Sequence, residues 1–167
     1  MSTVIGSLRL DDGVGTVRME DVYDTSAADL WEAISDPTRL SRWLVDITGV
    51  PEVGAVLRAH FTSSWDGTIR VDVCEPQKHL SVTSTEDDSD QEPMTIEAWI
   101  TPDGPRTRLV IEERGFRRDQ LAPHGAGWQV HLDDLGWHLT SGKPEGDWSD
   151  RWRALIAEYE EKADSLG

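Results

Sequence analysis

The sequence predicts an α+β fold: a curved antiparallel sheet wrapped around a long C-terminal helix, with two short helices after an early strand. Three observations carry that prediction. Two separately capped helical segments, each bearing a Trp, follow directly on an alternating strand. A succession of period-two segments then fills the middle of the chain, joined by connections too short for crossovers, which makes the sheet antiparallel. The last third switches to helical period.

Ile5 to Leu10 and Val14 to Tyr23 flank Asp11-Asp12-Gly13, a composition suited to a hairpin turn. Ser26 is placed to cap the next segment by accepting from the amide of Asp29, whose carboxylate complements the positive helix start. Leu30, Trp31, Ala33 and Ile34 supply its apolar stripe. Asp36-Pro37 is a second start signal, because Pro tolerates the first helical position, where its missing N–H is not needed. Leu40, Trp43 and Leu44 follow at helical spacing, and Asp46 to Gly54 reads as a loop.

Strands follow in quick succession. Val56 to Ser63 sets Leu57, Ala59 and Phe61 against Arg58, His60 and Thr62, and Trp65-Asp66-Gly67 reads as a turn. Thr68 to Glu75 sets Ile69, Val71 and Val73 against Arg70, Asp72 and Cys74. His79 to Thr85 places Leu80 and Val82 inward, and Met94 to Thr101 alternates Ile96, Ala98 and Ile100 with Glu97 and Trp99. Arg106 to Arg114 puts Leu109, Ile111 and Glu113 on one side. One polar face throughout means a sheet covered on one side. In the helical third, Trp128, Leu132, Leu135 and Leu139 form one stripe, with Val130 and Trp137 roughly opposite, so this helix is sandwiched. A final helix after a Ser149 cap carries Trp152, Leu155, Ile156 and Tyr159.

With 167 residues, no internal repeat and no linker, the chain is expected to form one domain over residues 1–167. Its hydrophobic fraction is 37%, but eight Trp carry much apolar area. The single cysteine, Cys74, excludes an intramolecular disulfide and has no basic neighbour in sequence to activate it. A net charge of −16 repels phosphate backbones, so neither nucleic acid nor an anionic membrane is an expected partner. The acidic run Glu86 to Glu92 reads as an exposed hairpin loop. No apolar run approaches the roughly 18 residues of a membrane span, and Met1 to Asp12 lacks a signal-peptide core, so a cytoplasmic protein is expected.

Leu30-Trp31-Glu32-Ala33, Asp36-Pro37 and Arg42-Trp43-Leu44 resemble the SRPBCC superfamily of START-like, helix-grip domains. Within it, the chain is similar to bacterial members of the family named after the activator of the 90-kDa heat-shock protein ATPase. Trp65-Asp66-Gly67-Thr68, Cys74-Glu75-Pro76, Glu112-Glu113-Arg114-Gly115 and Gly125-Ala126-Gly127-Trp128 extend the match over roughly Val14 to Tyr159. The resemblance implies an apolar cavity between sheet and helix that holds a hydrophobic small molecule. It also implies two alternatives: a co-chaperone-like partner surface, or a cyclase- or hydrolase-like activity. No shared catalytic motif, metal or cofactor comes with it.

Two clusters of side chains carry candidate chemistry. His131, Asp134 and His138 share one helix edge at a spacing that suits metal ligation, against the plainer reading of packed His residues and a locally paired Asp. Glu113 points toward the helix, where desolvation raises a carboxyl pKa and suits it to general acid–base work with His131. The alternative is pairing with Arg114 or Arg117 at a strand end. The expected ligand-binding residues are Trp43, Phe61, Glu113, Trp128, His131 and Leu135, with Arg58 or His60 as further polar contacts. The expected function is non-catalytic binding of a hydrophobic molecule. Trp99, Val130 and Trp137 suggest a homodimer surface.

Overall fold

The computed structural model describes residues 2–166. Its elements, in chain order, are β1 (Ile5–Asp11), β2 (Val14–Tyr23), α1 (Ala27–Ser35), α2 (Pro37–Leu40), β3 (Val45–Thr48), β4 (Val56–Phe61), β5 (Asp66–Glu75), β6 (His79–Glu86), β7 (Met94–Asp103), β8 (Arg106–Phe116), α3 (Arg118–Leu139) and α4 (Trp148–Asp164). The eight strands form one antiparallel sheet in the order β1-β2-β8-β7-β6-β5-β4-β3. The fold is α+β of the helix-grip kind, with α3 lying across the concave face of a curved sheet.

Local physics accounts for most element ends. Asp12 and Gly13 have φ of 51° and 80°, the two left-handed positions that a tight hairpin between β1 and β2 needs. Ser26 Oγ accepts from the Asp29 amide at 3.2 Å, and Asp36 Oδ2 accepts from the Arg39 amide at 3.0 Å. Replacing Asp36 by Ala is expected to cost about 1 kcal/mol of stability, read as a lower urea midpoint with an unchanged slope. An unchanged midpoint would mean that the cap contributes nothing.

Several sequence expectations are corrected. The first three residues of the supposed loop, Asp46 to Thr48, belong to β3, a four-residue edge strand too short to show alternation. The turn before β5 is Thr62 to Trp65, with Ser64 at φ 76°, and Asp66 already pairs with His60. Gly67 serves strand approach rather than a turn: a Cβ there would lie 2.1 Å from the Thr85 carbonyl oxygen. In β5 the register shifts between Val71 and Val73, leaving Asp72 as an extra residue. The bulge inverts the alternation. Val73 therefore pairs with outward Ser81, whereas Cys74 pairs with inward Leu80 and packs against the core.

The long helix begins at Arg118, well before the periodic stripe, and runs through Pro123. Leu121, Leu132 and Leu135 are fully buried with Met19 and Leu109 from the sheet. On its other side α3 meets α4: Tyr159 Oη donates to Gln129 Oε1 at 2.7 Å, and Trp152 Nε1 donates to the Pro123 carbonyl at 2.9 Å. Gly125 makes room for this contact, since a Cβ there would sit 2.6 Å from the Tyr159 ring. The cap of α4 is Asp147, not Ser149, and accepts from the Asp150 amide at 2.8 Å. The second facet of α3 is divided: Val130 is buried, while Trp137 stays 44% exposed.

The convex face carries an ion-pair ladder. Arg9 and Arg18 flank Glu112, and Arg114 donates to Glu97, which also meets His79. No helix among the described residues is long and apolar enough to cross a membrane.

Candidate functional site

Between the concave face and the two C-terminal helices lies a cleft of about 500 Å³. Its walls come from five places: the β4–β5 turn, the β6–β7 hairpin, β8, the first half of α3 and the start of α4. Phe61, Trp65, Met94, Ile96, Trp128, Trp148 and Trp152 supply apolar surface, and Glu86, Glu92 and Glu113 supply carboxyls.

Glu113 is placed by register. It pairs with Val17 on one side and Ile96 on the other, inward-facing positions continued by Val82 and Val71. Two residues later Gly115, at φ 117°, is the extra residue of the bulge opposite Gly15 and Thr16, just before the chain turns into α3. Glu113 is only 8% exposed, and Trp128 Nε1 donates to its Oε1 at 2.8 Å. No Arg or Lys pairs with it among the described residues. Burial therefore pushes its carboxyl above the usual range, against weaker opposing pulls from His124 and the Trp128 hydrogen bond.

His131 lies one helical turn beyond Trp128 and is 5% exposed. Trp128, Trp148 and Phe61 surround its ring at centroid distances of 5.5, 5.3 and 6.4 Å. Its Nδ1 is 3.4 Å from Thr62 Oγ1, a long contact. Burial first, and then the charge of Arg151, lowers its pKa to about 3, so the ring is neutral at physiological pH. It can exchange hydrogen bonds but brings no positive charge to the cleft.

Four of the six expected ligand-binding residues meet in this cleft: Phe61, Glu113, Trp128 and His131. Trp43 and Leu135 do not line it. Trp43 is fully buried, its Nε1 donating to the Ala33 carbonyl at 2.9 Å, and Leu135 is sealed in the core. Arg58 and His60 face the other side of the sheet, where Arg58 holds Asp87 and His60 Nδ1 meets Asp66 Oδ1 at 2.5 Å. Trp99 also faces outward, stacked on His79 at 5.5 Å. The His131, Asp134 and His138 edge is split among partners. Asp134 binds Arg151 at 2.6 Å, and His138 Nε2 accepts from Arg39 Nε at 3.1 Å. Among the described residues, no group of three His, Cys, Asp or Glu is arranged to hold a metal ion.

Trp65, Trp148 and Trp152 are cleft residues that sequence reasoning missed. From the sequence, Trp65 reads as part of a turn, Trp148 precedes the expected Ser149 cap, and Trp152 reads as core. One signal was available: Gly127, one turn before His131, leaves space that the rings of Trp148 and Trp152 approach to 3.5 and 4.0 Å of a notional Cβ.

Comparison with solved structures supports the fold. CalU16 from Micromonospora echinospora superposes with a TM-score of 0.76 at 20% identity, covering 97% of this chain and 98% of its own. MLL2253 from Mesorhizobium loti gives 0.69 at 24% identity, covering 77% and 99%. DynU16, a protein of the dynemicin biosynthetic locus, gives 0.71 at 24% identity over 80% of this chain and 49% of its own. No curated protein matches the sequence. The family model for Activator of Hsp90 ATPase homolog 1-like proteins matches residues 24–140, from the end of β2 to the end of α3, and the chain belongs to that family.

Proposed function

We propose that the cleft binds a small hydrophobic molecule without transforming it. One observation carries this reading. A space of about 500 Å³ remains open against the aromatic side chains of both layers, in a protein whose surrounding core is tightly filled. That volume falls in the usual range of ligand sites, which join apolar walls to a few polar groups. Here Glu113, His131 and the Trp128 indole are the polar groups beside apolar walls. The neighbour DynU16, a protein of a biosynthetic locus, is compatible with a small organic ligand.

Native mass spectrometry of protein purified gently from its own host tests the reading. The expected result is a discrete extra mass that disappears on denaturation. A clean apo mass, together with no uptake of an environment-sensitive hydrophobic dye, would overturn it.

A second reading has its own support: a carboxyl buried without a cation is suited to act as a general acid. Turnover of a bound molecule by the wild type, lost in Glu113→Gln with binding retained, would favour it. The family description raises a third reading, a partner surface for a heat-shock ATPase. Stimulation of a bacterial 90-kDa heat-shock ATPase by the purified chain would support that reading, and no stimulation at excess would sink it.

A further inference from the structure

The charge on the cleft is one-sided. Three carboxyls line it, Glu86, Glu92 and Glu113, and no Lys or Arg does. None of the three has an ion-pair partner among the described residues. Nearby guanidinium groups are each held by their own acid: Arg117 by Asp119 and Arg151 by Asp134. Two histidines also line it: His131 is neutral, and His124, whose Nδ1 donates to the Gln120 carbonyl at 2.9 Å, pulls on Glu113 more weakly than burial does.

Glu113 is the second observation. It is more than nine-tenths buried, yet its carboxyl receives a single hydrogen bond, from Trp128 to Oε1. A carboxylate offers about four acceptor sites, so Oε2 is left to whatever enters the cleft. Phe61, Trp65, Trp128, Trp148 and Trp152 bring phenyl and indole rings to the walls, and the faces of such rings attract cations.

We propose that the ligand is an organic cation, a protonated amine on an aromatic or alicyclic body, with its ammonium directed at Glu113. This rests on the cleft being the ligand site. The Trp and Phe walls take the apolar body. Glu86 and Glu92, beside the β6–β7 hairpin, draw the cation inward through their field. An anionic ligand would face three carboxyls with no Lys or Arg in the lining to compensate, and a neutral one would leave Oε2 without a charged partner.

Calorimetric titration of the full chain with three isosteric probes separates the alternatives: 1-naphthylmethylamine, 1-naphthylmethanol and 1-naphthoate, at pH 7.5 and low salt. The amine is expected to bind about tenfold more tightly than the alcohol, with the naphthoate weakest. Glu113→Gln should cost the amine most of its tenfold advantage over the alcohol, the alcohol's own affinity changing by far less. Glu92→Gln, at an exposed position that leaves folding intact, should weaken only the amine, by about threefold. Equal or tighter binding of the alcohol or the naphthoate would overturn the cationic preference and leave the cleft as a ligand site. Binding of none of the three would overturn the cleft reading itself.

Discussion

Trp43→Ala is expected to lower the free energy of unfolding by about 4 kcal/mol while leaving the geometry of the cleft unchanged. Trp43 is one of the largest fully buried side chains, standing just after α2. Its indole N–H donates to the Ala33 carbonyl near the end of α1, so one ring both fills the core and ties the two short helices together. Truncation leaves a void that the capped, rigid helices cannot close, and removes the side-chain donor from a buried carbonyl. Urea denaturation reads the loss. A cost below about 1.5 kcal/mol would mean that the site relaxes around the missing ring, contrary to a close-packed core. At a temperature where the variant is folded, its uptake of 1-naphthylmethylamine should match the wild type. Loss of uptake would instead restore Trp43 to the ligand-binding set that the sequence suggested.

His131 should make the protein acid-labile in a defined window. In the unfolded chain its imidazole takes a proton near the ordinary value of about 6.5; folded, it stays neutral until about pH 3. Between those values the unfolded state binds more protons, so stability falls as pH drops from about 6.5 toward 3 and is fully present above 6.5. At pH 5 the loss is about 2 kcal/mol. The buried carboxyls of Glu113, Asp21, Asp133 and Asp134 act in the opposite sense, because burial raises them and protonation in acid relieves their cost. The measurement is therefore a difference. The stability of wild type minus that of His131→Gln should shrink by about 2 kcal/mol between pH 7.5 and pH 5. Parallel stability curves for the two proteins would show that the imidazole is not held neutral among Trp128, Trp148 and Phe61.

These two residues divide what was legible from what was not. Both stood in the set expected from the sequence to bind ligand, because both are aromatic rings on helical or near-helical segments facing the sheet. Their fates differ through position along the grip. His131 is near the end where the β4–β5 turn and the β6–β7 hairpin stand away from α3, whereas Trp43 is near the end that α1 and α2 close. No local pattern encodes that distance.

The sequence by itself determined what short-range physics controls. The caps at Ser26 and Asp36, the Asp12-Gly13 turn, the inward set Leu109, Ile111 and Glu113, and the stripe Trp128, Leu132 and Leu135 follow from spacing, and the structure keeps each of them. Only the tertiary structure decided the rest. The bulge at Asp72 reversed the faces of Val73 and Cys74, and the turn after Phe61 and the cap at Asp147 delivered Trp65 and Trp148 to the cleft. The physical reason is that a cleft is volume left unfilled by side chains from segments far apart in sequence. Its place depends on sheet curvature, bulges and helix approach, which no single segment contains.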